Sequence, residues 1–213
     1  MNEGIALCPE SADSMPNYEK RRRNYCVFTA RWGPSLAENG ILVIAAHPDE
    51  AASKVHSRLL SSIESQLPNV AVRRLYDLYP SFHIDVEAEQ KALSQAKLVV
   101  WLHPIYWYNA PAILKEWIDR VLEHGWAYGK DGTALKGKKV LSAISSGGTH
   151  DTYQAGGFHG ATLDQYLLPF KSTAELCNMS YEQPFWVQKA RALSSADADQ
   201  EAQRLVTRLK ELA

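Results

Sequence analysis

A three-layer α/β sandwich with a five-stranded parallel sheet is the fold class that the sequence predicts. Two observations support it. From Ile41 onward, short apolar runs alternate with longer amphipathic segments, which is the pattern of repeated strand–helix units. The 213 residues, of which 46% are hydrophobic and 22% charged, suffice for a globular domain with a sizeable core. Residues 1–40 mix Pro, Ser, Asn and charges without a helical or strand period, so a flexible N-terminal arm is predicted before a domain of residues 41–213.

Five strands and five helices alternate along the predicted domain. The apolar runs that predict strands are Ile41–Ala46, Val70–Leu75, Leu98–Leu102, Lys139–Ser145 and a last one near Tyr181–Val187. The amphipathic segments that predict helices are Ser53–Gln66, Asp85–Ala96, Pro111–His124, Ala161–Cys177 and Ala196–Leu212. Pro111 suits a first helical turn, because an N–H at that position has no intrahelical partner.

Charge and cysteine content narrow the function classes. The formal net charge of -1 provides no basic field, so no nucleic-acid partner is expected, and small molecules or proteins are the default partners. Cys8, Cys26 and Cys177 are odd in number and lack metal-like spacing, which is typical of reduced thiols. No apolar run reaches the roughly 18 residues of a membrane span. We therefore expect a cytoplasmic protein.

The unusual residues follow three of the predicted strands. The first strand is followed by HPDEAASKVH, the third by HPIYWYNAP and the fourth by SSGGTHDTYQAGGFHG. In an open parallel sheet, ligands bind beyond the carboxyl ends of the strands. With the flavodoxin-like strand order 2-1-3-4-5, these three loops meet at one end of the sheet. The sequence therefore predicts a binding site there.

Each of these loops offers a different binding chemistry. His47 directly follows the first strand and Ser53 lies at the predicted helix N-terminus, so both could hold a phosphate there, although Ser53 could equally be only a helix cap. The aromatic stretch Ile105–Tyr108 could lie against a flat ring, although Trp107 could instead fill a core or a dimer interface. The turn Ser145–Gly148 lets the backbone approach a ligand closely. Tyr153 and His159 share one loop and can both donate or pass a proton.

A zinc site is the alternative interpretation of the first loop. AHPDE resembles the AHPDD motif of zinc-dependent sugar-amide deacetylases, in which His and Asp bind the metal. Here Glu50 stands where that motif has its second Asp, and none of the later histidines forms a paired-His motif. The sequence therefore does not favour a metal site.

The chain resembles the flavodoxin-like NAD(P)H:quinone oxidoreductases in three stretches. They are AHP after the first strand, HPIYWYNAPAILKEWIDRVLEHGWAYG, and SSGG followed by GFHG. Within that group, the ancillary subunits of glutathione-regulated potassium-efflux systems are most similar in two stretches, LYDLYPSFHIDVEAEQKAL and HGWAYGKDGTALKGKK. The resemblance implies FMN as cofactor, with FAD as the alternative, NAD(P)H as electron donor and a quinone as substrate. It also implies a ping-pong cycle and a homodimer with flavin sites near the subunit interface.

The resemblance also assigns roles to individual residues. It implies that the flavin phosphate is held by His47, Ser53, Lys54, Val55 and His56. It implies that the ring is lined by Ile105, Tyr106, Trp107, Tyr108, Ser145, Ser146, Gly147 and Gly148. Tyr153 and His159 match the catalytic pair that stabilises charge and relays a proton. His56 departs from the potassium-system subunits, which tend to have Asn at this position.

The resemblance leaves two functions open. One is quinone reduction. The other is a regulatory role, in which the protein binds and activates a membrane potassium-efflux antiporter and lies peripherally at the inner face of the cell membrane.

Overall fold

The structure, a computed structural model, describes residues 40–213. The strands are β1 Gly40–Ala45, β2 Val70–Arg74, β3 Ala96–Pro104, β4 Lys139–Ser145, β5 Ser180–Tyr181 and β6 Phe185–Val187. The helices are α1 His56–Gln66, α2 Leu75–Leu78, α3 Val86–Gln95, α4 Ala112–Val121, α5 Leu163–Leu176 and α6 Ser195–Leu212. Apart from Gly40, which begins β1, the predicted arm lies outside the described residues. No helix within residues 40–213 is long and apolar enough to cross a bilayer.

The sheet has the predicted parallel pairing and the predicted strand order. The order is β2-β1-β3-β4-β5, and β6 pairs with β4 beyond β5. One detail of the prediction was wrong, because the last strand is two short strands rather than one. Pro184 lies between them and has no N–H to donate to the ladder, so the pairing is interrupted there.

Helices cover both faces of the sheet. Alternate residues of β3 point to opposite faces, with Leu98, Val100 and Leu102 in the core under α1 and α6. Val99 and Trp101 belong to the other core, under α3, α4 and α5. These strands are buried on both sides, as the continuous apolar runs of the sequence predict for a parallel sheet.

One buried carboxylate joins three elements on the α3 face. Glu89 of α3 is fully buried, and its side chain accepts hydrogen bonds from Arg73 of β2, from the Tyr79 hydroxyl at 2.5 Å and from Trp117 Nε1 of α4 at 2.9 Å. The charge therefore has an opposite charge and two neutral donors, which is the condition under which a buried ion is tolerated.

We predict that Glu89→Ala lowers the free energy of unfolding by about 3–5 kcal/mol, because it leaves Arg73 partly buried without its carboxylate. Urea denaturation measures this change. Glu87→Ala, at an exposed position of the same helix, is the control and should cost less than about 1 kcal/mol. Equal losses in the two variants would contradict the role of the Glu89 network.

Candidate functional site

A cavity of about 810 Å³ lies at the carboxyl ends of β1, β3, β4 and β6. The strands end at nearly the same level, since Pro104 pairs with Ser145 and Ser145 pairs with Val187. The predicted site residues that line this cavity are His47, Ser53, Lys54, Ile105, Tyr106, Ser145, Ser146 and Gly147. The three predicted loops therefore do meet at one site, whose volume is within the range of ligand pockets.

The β1 loop presents hydrogen-bond donors to the cavity. The Asp49 N–H donates to His47 Nδ1 at 3.1 Å, and burial lowers the pKa of His47, so the neutral ring keeps its proton on Nε2. The N-cap residue of α1 is Val55 and not Ser53. Ser53 Oγ nevertheless accepts the N–H of His56, the first residue of α1, at 3.1 Å, and its hydroxyl proton stays free to donate. For Ser53, the hydrogen bond to the start of α1 and a role as phosphate ligand are thus compatible.

Free backbone donors stand beside these side chains. Within residues 40–213, the N–H groups of Lys54 and Val55 have no hydrogen-bond acceptor, and α1 begins directly after them at His56. Unpaired N–H groups at a helix start, together with the helix dipole, favour an anion such as a phosphate. The Val55 side chain is buried in the core, so its contribution at this site is its backbone.

His56 lies beneath the cavity rather than in its wall. It is 1% exposed, and its Nε2 shares a hydrogen bond of 2.8 Å with Ser145 Oγ, which does line the cavity. Burial, with the neighbouring His47 and His103, lowers the pKa of His56 to about 3. The ring is therefore neutral at physiological pH and serves to fix the Ser145 hydroxyl.

The aromatic stretch after β3 forms a tight hairpin. Tyr106 and Asn109 exchange two backbone hydrogen bonds of 2.8 and 3.0 Å, and both residues between them have positive φ, 49° at Trp107 and 64° at Tyr108. Such turns usually contain Asn and Gly, so two aromatic residues there are strained. The structure places Tyr106 on the cavity wall but leaves Trp107 93% exposed and outside it.

Tyr153 and His159 lie together next to the cavity, although neither lines it. Their rings stack with centroids 4.1 Å apart, and burial raises the pKa of Tyr153, which keeps its hydroxyl protonated. Gly148 packs against both rings. A Cβ on Gly148 would lie 2.7 Å from a Tyr153 ring carbon and 3.1 Å from His159 Nε2, so only glycine leaves the pair in place.

Tyr166 of α5 connects this pair to the hairpin. Its hydroxyl donates to the His159 carbonyl at 2.6 Å, and its ring stacks on Tyr108 with centroids 5.0 Å apart. Sequence reasoning missed Tyr166, because it lies inside a predicted helix and not in a loop at a strand end. It holds the two aromatic loops in a fixed relation.

A fourth loop, after β6, also lines the cavity and was missed. It contributes Lys189, Ala190, Arg191 and Ala192. The same rule that found the other loops would have pointed here, because this loop also follows the carboxyl end of a strand. Within residues 40–213, no three His, Cys, Asp or Glu side chains are placed to hold a metal ion, so the zinc alternative finds no ligand set there.

These groups suit a ligand with an anionic end and a flat ring. The β1 loop supplies donors for an anion, and Ile105 and Tyr106 supply apolar surface. The turn Ser145–Gly147 supplies polar groups and lets the backbone approach the ligand closely. The Gly147 N–H has no acceptor in the described part of the chain and can bond the polar edge of a ring. A nucleotide-like aromatic cofactor fits this donor set.

Residues 39–212 match the family model described as flavodoxin-like fold. The chain belongs to this flavodoxin-like family. Among solved structures, general stress protein 14 of Treponema denticola, in complex with FMN, is 38% identical with a TM-score of 0.78, over 82% of this chain and 99% of that one. An NADPH-quinone reductase from P. pentosaceus is 30% identical with a TM-score of 0.71, over 80% of this chain and 96% of that one.

Curated flavodoxin-like relatives carry the name glutathione-regulated potassium-efflux system ancillary protein KefF. The relative from Enterobacter sp. (strain 638) is 46% identical over 145 residues, which cover 68% of this chain and 81% of that protein. The relative from Salmonella typhimurium is 47% identical over the same shares. The family predicted from the sequence is thereby confirmed.

We predict that buried His56 makes the fold acid-sensitive. Its pKa is near 6.5 in the unfolded chain and about 3 in the folded one, so the unfolded state binds more protons between these values. The free energy of unfolding should fall by up to about 1.4 kcal/mol per pH unit as pH decreases below 6.5. His56→Asn should reduce this slope in urea denaturation at pH 7, 6 and 5. His150→Asn, at an exposed histidine, should leave the slope as it is, and an unchanged slope in both variants would refute the assignment.

Proposed function

We propose that the protein is a flavin-dependent NAD(P)H:quinone oxidoreductase that reduces quinones by two electrons in a ping-pong cycle. The observation that supports the proposal is that three features lie together at one end of the sheet: unpaired N–H groups at a helix start, a cavity large enough for a ring system, and a stacked Tyr–His pair. FMN is proposed as cofactor because the 38% identical Treponema denticola structure is in complex with it. NAD(P)H as donor and a quinone as acceptor are proposed from the likeness to the 30% identical NADPH-quinone reductase of P. pentosaceus.

The residues of this chain have the chemical groups that FMN binding requires. His47 Nε2, the Ser53 hydroxyl and the N–H groups of Lys54 and Val55 would hold the phosphate. Ile105, Tyr106 and the Ser145–Gly147 turn would line the ring. When bound, FMN supplies reversible hydride chemistry. His56 would position the Ser145 hydroxyl by its hydrogen bond, and Gly148 would leave room for the Tyr153–His159 pair.

Tyr153 and His159 are the proposed catalytic pair. The raised pKa of Tyr153 keeps it a hydrogen-bond donor at neutral pH, so it can stabilise negative charge that develops at the edge of the ring. His159 stacks on it and can pass a proton to or from solvent. Donors that are already in position need no rearrangement during the reaction. Tyr166 would support catalysis in this way, because its hydrogen bond to the His159 carbonyl holds that residue in place.

A visible absorption spectrum of the purified protein tests this function directly. We expect flavin bands that bleach with anaerobic NADPH and return when a benzoquinone is added, and mass spectrometry of the released cofactor distinguishes FMN from FAD. A colourless protein that takes up neither flavin would refute the proposal.

The second candidate function is that of a potassium-efflux ancillary subunit, favoured by the 46% and 47% identity to relatives with that name. In this role the protein would bind a membrane antiporter from the cytoplasmic side. Retention of a co-expressed antiporter on the tagged protein tests it, and failure in detergent and in native membranes alike would count against it.

A homodimer is proposed as well, because Trp107 and Phe158, the chain neighbours of Tyr106 and His159, are 93% and 87% exposed, and a second copy could cover them. Light scattering measures the mass in solution, and the mass of a monomer would refute the dimer.

We predict that Gly148→Ala slows flavin reduction by NADPH about 10- to 100-fold, because its Cβ displaces the Tyr153–His159 pair. Stopped-flow absorbance of the flavin-loaded protein measures this rate. Gly147→Ala is the matched comparison, since its Cβ meets no atom of residues 40–213 within 4 Å and Gly147 lines the cavity. It should weaken flavin affinity and leave the reduction rate of the loaded protein nearly intact. Similar rate losses in both variants would contradict the packing argument.

A further inference from the structure

Three cationic side chains line the cavity without carboxylate partners. They are Lys54, Lys189 and Arg191, and none of them forms an ion pair within residues 40–213. The only acid in the described cavity wall is Asp49. The cavity is therefore electropositive in a chain whose formal net charge is -1. Unpaired cations around a cavity raise the local concentration of an anionic ligand.

The three cations form two separate groups. Lys54 lies after β1, whereas Lys189 and Arg191 lie after β6, and the strands between them follow the order β1-β3-β4-β6. Three strand spacings correspond to roughly 14 Å. A phosphate bound by the backbone N–H groups of Lys54 and Val55 therefore lies at the β1 end of the cavity, away from the loop after β6. If the flavin phosphate binds at the Lys54 end, the pair after β6 remains for a different anion.

The β6 loop is fixed to the turn that would line the flavin ring. The Ala190 N–H donates to the Ser146 carbonyl at 2.9 Å, and the Lys189 N–H donates to the Gly148 carbonyl at 3.3 Å. Lys189 has a φ of 52°, and its carbonyl accepts the Ala192 N–H at 2.7 Å, so the loop folds into a tight turn. These bonds set the backbone of the loop, whose Lys189 and Arg191 both line the cavity.

We propose that Lys189 and Arg191 bind the 2′-phosphate of NADPH and make the protein prefer NADPH over NADH. This inference rests on the proposed function, because it names the donor of that same site. NADPH differs from NADH only by the 2′-phosphate, which carries nearly two negative charges at neutral pH. A guanidinium and an ammonium together suit such a group, since Arg offers a planar fork of donors and Lys a point charge.

The test compares the flavin-loaded wild type with the double variant Lys189→Gln/Arg191→Gln, which removes both charges and keeps an uncharged polar side chain at each position. KM is measured for NADPH and for NADH. Calorimetry measures the binding of 2′,5′-ADP and of 5′-AMP, which needs no turnover. Lys97→Gln is the control, since Lys97 is exposed near the start of β3, at the opposite end of the sheet.

We expect the KM for NADPH to rise about 10- to 100-fold in the double variant, and the KM for NADH to rise at least tenfold less. Binding of 2′,5′-ADP should be lost, and both effects should be absent from the control. Equal changes for the two nucleotides, or no change in either, would overturn the inference. Loss of bound flavin would also overturn it, by assigning the cations to the cofactor. If the wild type binds 2′,5′-ADP but shows no turnover with any quinone, the proposed reaction fails while the phosphate site stands.

Discussion

The register of the parallel strands is the constraint on which the site depends. β1, β3, β4 and β6 run in the same direction, and the pairs Pro104–Ser145 and Ser145–Val187 bring three of their ends to nearly the same level. Side chains that are far apart in the sequence therefore meet around one cavity. A shift of one residue would turn each inward side chain to the other face of the sheet. The buried faces of β3 on both sides make such a shift costly.

Polar side chains then tie the loops to this frame. The bond between His56 and Ser145 joins the start of α1 to the end of β4. Arg74, at the end of β2, binds both Glu50 of the first loop and Glu64 of α1. The first loop is therefore held from below and from the side. Such support is what a binding site needs if its donors are to be in place before a ligand arrives.

The sequence predicted the fold well because its signals are local. Apolar runs and amphipathic segments marked every long element. The predicted strand Tyr181–Val187 is divided at Pro184, whose missing N–H interrupts the ladder. The loop rule also found most of the cavity wall. It could not predict that Tyr106 lines the cavity and Trp107 does not. The hairpin has positive φ at two aromatic residues, Trp107 and Tyr108, where sequence rules expect Asn and Gly. Tyr166 acts through tertiary contacts that no short motif records.

Glu89 in the core and the groups at the cavity differ in how far their hydrogen bonds are satisfied. The core has two exceptions, since Trp101 Nε1 and His103 Nε2 are buried without a hydrogen-bond partner within residues 40–213. In the core, Glu89 receives hydrogen bonds from an arginine, a tyrosine and a tryptophan. At the cavity, backbone N–H groups in the first loop and the cations of the β6 loop have no partner in the described chain. Such groups add little to the free energy of unfolding, because neither exposed charges nor unpaired donors stabilise the folded state appreciably. Their concentration at one end of the sheet is explained if a phosphate-bearing ligand completes the hydrogen bonds there.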